Sequence, residues 1–231
     1  MALQTTDLKA GYGHTKVLHG VDLAVEQGSV LALLGRNGVG KTTFVKAVMG
    51  IIAPSDGTVH TLGVDTTHIP PFRKARSGIA YVPQDFGIFD QLTVAQNLSM
   101  ATPDLREVRN DGHEIFEHFP VLGERLGQKA GTLSGGERKM LLIARALYQR
   151  PKLMLVDEVT EGVQPAVVER IAEAITGRVG EGTAVLLVEQ RLEFALEIAD
   201  YFSVLHAGEV VASGPVDAGA RSRIEQHMVL T

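Results

Sequence analysis

Three runs along the chain are apolar at every position: Val30 to Leu34, Leu153 to Val156 and Val185 to Val188. Each is too short for an ordinary helix. Uniform hydrophobicity over such a length is the pattern of a central parallel strand covered on both faces. Other stretches alternate. Val21-Asp22-Leu23-Ala24-Val25 puts every second side chain on one side, as in an antiparallel sheet with one wet face. Read in this way, the chain predicts strands near 3–8, 17–25, 29–34, 57–62, 79–82, 152–157, 183–189, 201–206 and 209–213. Helical periods follow the central strands. In 166–176, Val167, Ile171 and Ile175 share one face with Val168 and Ala172 beside them, and Pro165 suits the first turn.

From about 93 to 150 the period changes. This stretch has helical patterns and no convincing strand, with breaks at Pro103, Pro120 and Gly131. It reads as an all-helical insertion between the halves of an α/β core. The expected organisation is a single domain over 1–231. Residues 1–92 and 151–215 form the core with its N-terminal antiparallel β subdomain, 93–150 form the helical subdomain, and 216–231 form a C-terminal segment. Arg221 to Thr231 reads equally as a short helix or a frayed tail.

Composition narrows the function classes. A formal net charge of −5 argues against a general nucleic-acid coat, so no nucleic-acid partner is expected. The absence of cysteine excludes disulfides and thiolate metal sites. The eight histidines show no metal-like cluster. MALQTTDLKAGYG lacks the apolar core of a secretory signal, and no apolar run approaches the roughly 20 residues that cross a bilayer. A role at a membrane would need another chain to span it.

The run GRNGVGKTTF follows the strand at 30–34 and opens the helical pattern at 41–49. Gly35, four residues, then Gly40-Lys41-Thr42 is the spacing of a phosphate-binding loop. Its glycines let backbone N–H groups wrap a phosphate, and the helix N-terminus adds donors. The candidate nucleotide contacts are Gly35, Asn37, Gly38, Gly40, Lys41, Thr42 and Thr43. Lys41 is the cation for the β- and γ-phosphates, and Thr42 offers a hydroxyl to Mg²⁺. A partner acid should end another central strand. KLMLVDEVTEG supplies Asp157 to hold Mg²⁺ through water and Glu158 to polarise a water against the γ-phosphate. The expected cofactors are ATP and Mg²⁺.

TLSGGERKMLLIARAL begins at Thr132. Ser134 and Glu137 have capping-box spacing, and Gly135 and Gly136 leave first-turn N–H groups bare. This is a second helix N-terminus that presents donors to an anion. If it sits on the insertion and faces outward, it cannot close over the phosphate held by its own chain. A dimer in which each chain's Ser134 segment closes the other's nucleotide is the economical solution.

The order of phosphate loop, Gln84 in YVPQ, LSGGE at 133–137 and LMLVDE at 153–158 resembles the ATP-binding cassette ATPases, over about residues 3 to 214. The resemblance implies a P-loop ATPase core with a mainly parallel central sheet, and a head-to-tail dimer with two ATP molecules at the interface. The second subunit is either a copy of this chain or a related ATPase. Tyr12 in AGYG matches the family's aromatic that stacks on adenine. Gln84 matches the glutamine that reaches Mg²⁺ and the attacking water. The 84–95 region matches the surface that receives the coupling helix of a transmembrane permease. There Phe86, Ile88 and Phe89 serve either as docking anchors or as subdomain packing. The implied location is the cytoplasmic face of the inner or plasma membrane, as a peripheral subunit.

Most of the family has a histidine after the strand that follows the Asp-Glu pair. Here Gln190 stands in that place, and no histidine lies anywhere from 184 to 205. A glutamine amide still hydrogen-bonds a phosphate oxygen or a water, but it carries no proton near neutral pH. The expected loss is the charge-assisted part of one hydrogen bond, about 1–2 kcal/mol. LLVEQ and TEGVQP are similar to one of the two ATPase subunits of importers for branched-chain amino acids and small amides such as urea. Val159 stands where a proline usually follows the acid pair, and Gln164 stands where an aspartate usually crosses the dimer interface. Two readings of function follow: a transport-coupled ATPase, or an ATP-gated clamp with little turnover whose partner does the chemistry.

Overall fold

A computed structural model describes residues 1–84, 87–101 and 113–228. In chain order the strands are β1 (Leu3–Tyr12), β2 (Thr15–Val25), β3 (Val30–Leu34), β4 (Asp56–Thr61), β5 (Val64–Asp65), β6 (Ile79–Val82), β7 (Leu153–Asp157), β8 (Ala184–Glu189), β9 (Tyr201–His206) and β10 (Glu209–Pro215). The helices are α1 (Lys41–Met49), α2 (Pro71–Arg76), α3 (Val94–Ser99), α4 (His113–His118), α5 (Pro120–Glu124), α6 (Gly135–Tyr148), α7 (Pro165–Gly180), α8 (Leu192–Ile198) and α9 (Ala220–Met228).

Two sheets form. One is antiparallel, in the order β2-β1-β4-β5. The other runs β10-β9-β3-β8-β7-β6 and is parallel except for the edge strand β10. The alternating stretch in β2 lies in the first sheet, with Val21, Leu23 and Val25 buried and Asp22 and Ala24 exposed. The three uniformly apolar runs are β3, β7 and β8, adjacent in the second sheet, and every residue in them is buried. Parallel sheets bury both faces, so none of these strands has a wet side.

Alternation survives inside these runs as a division between two cores. Val30, Ala32 and Leu34 of β3 join Met154, Val156, Val185 and Leu187 in a core shared with α6, α7 and α8. Leu31 and Leu33 join Leu155, Leu186 and Val188 in a core shared with α1 and the antiparallel sheet. The register pairs Leu34 with Glu189 and Asp157 with Val188, so the C-terminal ends of three strands lie level. Polar residues that follow them meet in one crevice, where open α/β sheets bind ligands.

The described residues between 93 and 150 form α3 to α6 and a short 3₁₀ turn (Ala130–Thr132), with one isolated bridge, Thr93 to Lys129, and no strand. Pro120 opens α5 at its first turn rather than simply breaking a helix, as the lack of an N–H allows there. Pro103 lies outside the described residues. The undecided C-terminal stretch is helical to Met228, because Ala220 and Ile224 bury one face against the core.

Candidate nucleotide site

The segment after β3 turns through Gly35 into α1. A Cβ on Gly35 would stand 2.5 Å from the Leu205 carbonyl oxygen, so only glycine fits between this loop and β9. Gly40 caps α1 at φ +111, without a side-chain capping bond, and leaves the first N–H groups of α1 to point into the crevice. Lys41 folds back under the loop. Its Nζ donates to the carbonyls of Gly35 at 2.8 Å and Arg36 at 3.1 Å, and it pairs with Glu158 Oε1 at 2.9 Å. Tyr12, Asn37, Gly38, Gly40, Lys41, Thr42, Thr43, Gln84 and Glu158 all line one cavity of about 410 Å³. Tyr12, at the end of β1, is half-exposed at the mouth of the cavity. A second cavity, of about 420 Å³, lies between Arg150–Lys152 and Arg178–Thr183, at the opposite end of β7 and β8, and shares none of these residues.

Asp157 ends β7 on the α1 side of the sheet and is fully buried. Its Oδ1 accepts from the Thr42 hydroxyl at 3.3 Å, and its Oδ2 has no hydrogen-bond partner among the described residues. Burial, and then the neighbouring Glu158 charge, push the Asp157 carboxyl up to about 6, against the bond from Thr42. The Tyr81 phenol faces the same carboxylate without reaching hydrogen-bond geometry. Burial first, and the Asp157 charge second, hold that phenol above its ordinary value. A buried carboxylate oxygen beside a hydroxyl, lacking a donor, is a donor set that a hard cation satisfies. Thr42 and Asp157 therefore fit Mg²⁺, and Gln84 lines the cavity onto which Thr42 opens.

Glu158 holds φ +47, a left-handed conformation unusual for a residue with a side chain. Strain of this sort, roughly 1–3 kcal/mol, persists where the surroundings over-determine it. Gln84 Nε2 donates to Glu158 Oε2 and to Glu161 Oε2, each at 2.9 Å. Lys139 on α6 donates to the Gln84 carbonyl at 2.6 Å, which ties the helix that Ser134 caps to Gln84. The sequence reading missed Lys139, Glu161 and Asn97. Asn97 is fully buried; it accepts from the N–H of Phe89 at 3.0 Å and donates to the Phe89 carbonyl at 3.1 Å, fixing Phe89 against α3. A polar residue in a helix or a turn is an ordinary sight in sequence, so only the fold reveals these three.

Ser134 caps α6 in a full capping box. Its Oγ accepts from the Glu137 N–H at 3.3 Å, and Glu137 Oε2 accepts from the Ser134 N–H at 2.8 Å. That backbone bond, with Arg125 at 2.9 Å, holds the Glu137 carboxyl below its ordinary range. Ser134 and Gly135 are exposed, and a Cβ on Gly135 would meet nothing within 4 Å. None of Ser134, Gly135, Gly136 and Glu137 lines the cavity that holds Lys41. The cavity thus gathers most of the predicted contacts, with Asp157 bonded to Thr42 and the Gly35 carbonyl to Lys41, but not Ser134 to Glu137 or Gln190. Gln190 is exposed just past β8. Of the three apolar residues after Gln84, Ile88 packs on the core and Phe89 is half-exposed under the Arg145 guanidinium at 5.9 Å; Phe86 lies outside the described residues.

Comparison with known proteins agrees with this geometry. The family described as ABC transporter matches residues 18–161. A probable branched-chain amino acid transport ATP-binding protein LivF of Archaeoglobus fulgidus is 38% identical over 92% of this chain and 91% of its own length. The high-affinity branched-chain amino acid transport ATP-binding protein BraG of Pseudomonas aeruginosa is 39% identical over 87% of each. The lipopolysaccharide export system ATP-binding protein LptB of Haemophilus influenzae is 35% identical over 92% of this chain and 90% of its own. A solved structure of an ATP-binding subunit of an ABC transporter superposes over 100% of both chains, with a TM-score of 0.88 and 26% identity. The chain belongs to the ABC transporter family, as one of its ATP-binding subunits that hydrolyse ATP.

Proposed function

We propose that this subunit powers import of a branched-chain amino acid or a related small amide. It would close head-to-tail on a second ATPase, of its own or a related sequence, over two molecules of ATP. The observation that supports this most is the division of the contacts. Lys41, Thr42, Gln84 and Glu158 share one cavity, with Asp157 behind Thr42, whereas Ser134 to Glu137 lie off it. A second chain is needed to bring donors to the open side. Import rather than export is supported by LLVEQ and TEGVQP and by the two amino-acid transport relatives; the lipopolysaccharide export relative is the competing reading.

The roles follow from the geometry. Tyr12 stacks on the adenine, and the N–H groups from Asn37 to Thr43 wrap the phosphates. Lys41 is neutralised by Glu158 until a γ-phosphate arrives. The phosphate then takes the ammonium, and Glu158 is released toward water. Water attacks the γ-phosphorus, Glu158 accepts its proton, and the bond to the β–γ bridging oxygen breaks to leave ADP and phosphate. Thr42, Asp157 and Gln84 would hold Mg²⁺, which would supply charge neutralisation for the phosphates. Gln84 links Glu158 to the 84–95 loop, which we assign as the seat of a permease helix, so docking bears on the base through one side chain.

The experiment is ATP hydrolysis by Glu158→Gln, with and without the second ATPase and the permease chains that co-purify. A fall of about a hundredfold or more with nucleotide binding retained is expected; unchanged hydrolysis removes Glu158 as base. Permease partners whose ATPase responds to lipopolysaccharide and not to leucine or urea would overturn import. A clamp with little turnover is favoured by Gln190, Val159 and Gln164. Gln190→His should then raise hydrolysis in the mixed dimer by about tenfold, and no gain over an already fast wild type removes the clamp.

A further inference from the structure

We propose that Glu189 is a positioning residue for hydrolysis: its buried carboxylate clasps Thr160 and so holds the strained turn that carries Glu158. The inference rests on the role of Glu158 given above.

Strand parity places Glu189 away from the nucleotide. Val185 and Leu187 of β8 face the core shared with α6, α7 and α8, and Glu189 continues that series; Asp157, on β7, continues the opposite one. Glu189 is only 2% exposed, so its charge must be met inside the protein. Among the described residues it has no lysine or arginine as an ion-pair partner. Thr160 meets it instead, with its N–H 3.3 Å from Oε1 and its hydroxyl 3.1 Å from each carboxylate oxygen. Burial holds this carboxyl above its ordinary value, against Thr160 and the nearby backbone N–H groups of Gln190 and Arg191, which favour the charged form. Arg191 reaches over to donate to the Thr160 carbonyl at 3.5 Å. Thr160 turns both of its donors to this carboxylate, so a carboxamide, with one acceptor oxygen and no charge, weakens the clasp.

Glu158 lies two residues before Thr160. Its left-handed backbone needs anchors on both sides. The first is its own N–H, which donates to the Val188 carbonyl at 2.9 Å. The second is Thr160 in the grip of Glu189. Both anchors belong to consecutive residues of β8, and the next residue is Gln190. The end of β8 therefore sets the angle at which Glu158 meets the γ-phosphate, and it does so from the face of the sheet that ATP never touches. A buried carboxylate without a cation is costly compared with an apolar side chain, which argues that it is kept for geometry rather than for stability.

The test uses the full chain in its assembled dimer. Glu189→Gln and Thr160→Val keep shape; the first leaves the clasp one acceptor oxygen and no charge, and the second removes its hydroxyl donor. We expect each to lower kcat about tenfold, with KM and the affinity for a fluorescent ATP analogue within about twofold of wild type. Thr160→Ser, which restores the hydroxyl, should recover most of what Thr160→Val loses. The double variant should be no slower than the slower single one, because both cut the same link. The proposal is overturned by unchanged kcat in both single variants, by losses that track melting temperature or nucleotide affinity instead of kcat, or by Thr160→Ser as slow as Thr160→Val. Glu158→Gln runs alongside. If it hydrolyses normally, the base assignment has failed; if it is dead while the clasp variants are fast, only the clasp has failed.

Discussion

The N-termini of α1 and α6 are built by opposite means. Helix α1 starts at Gly40 with no side-chain cap and no acid in its first turn, and Lys41 and Thr43 beside it are buried. Helix α6 starts at Ser134 with its own capping box and its own acid, Glu137, and is exposed. The first is held from outside, by β3 and β9 around the loop, and it leaves donors unsatisfied. The second completes itself from four consecutive residues. A helix end that completes itself can wait at a surface for a partner chain, whereas one left open under a loop needs a phosphate to finish it.

The largest expected contrast comes from removing one group at each end. Lys41→Ala should weaken ATP binding about a hundredfold or more, because Lys41 is the buried cation of the cavity. Ser134→Ala should leave binding to the isolated chain within about twofold, yet lower hydrolysis in the dimer by about tenfold. Titration with a fluorescent ATP analogue and a phosphate-release assay separate the two. Equal losses of binding in the monomer would mean that both ends serve the same nucleotide of one chain.

Glycine replacement sharpens the same contrast on the stability side. Gly35→Ala drives a methyl to within 2.5 Å of the Leu205 carbonyl and should cost about 2–4 kcal/mol. A fall in melting temperature of roughly 10 °C would follow. Gly135→Ala meets open space and should shift melting by no more than about 2 °C, while still slowing hydrolysis.

The smallest effect concerns the other end of α1. Lys74 is fully buried and donates to the Val48 carbonyl at 2.6 Å, so this helix borrows a cap at its C-terminus too. Burial pushes the Lys74 ammonium down to about 8 from its ordinary 10.5. Below about pH 8 both folded and unfolded chains keep the proton, and the folded chain bears the whole cost of the buried charge. From there up to the unfolded value only the folded chain sheds it, so stability rises with pH and then levels. Between about pH 7 and about pH 9.5 the gain should be about 2 kcal/mol by chemical denaturation. Lys74→Met should flatten that rise; an unchanged slope would show that Lys74 is not its source.

Much of the fold was legible because burial writes itself into sequence as period. The nine anticipated strands are all present; only the two-residue β5 was not foreseen, and two residues carry no period. The phosphate loop was legible for another reason. Its glycines, lysine and threonine lie within ten residues, so their spacing along the chain is nearly their spacing in space. Glu189 was the opposite case. It stands beside Gln190 in the sequence as a second polar group at a strand end, and nothing local says that the two serve different faces of the sheet.

Sequence alone therefore determined what is local or periodic: which runs are buried strands, where the two helix N-termini fall, and which residues of the loop after β3 line the cavity. Tertiary structure decided what depends on residues far apart along the chain. It set which face each apolar run turns to which core, that Lys41 rests on Glu158 across the sheet, that Lys139 reaches Gln84, and that Glu189 grips Thr160. The physical reason is that a period records how much of a residue is buried, whereas the partner it is buried against is chosen only when the strands line up.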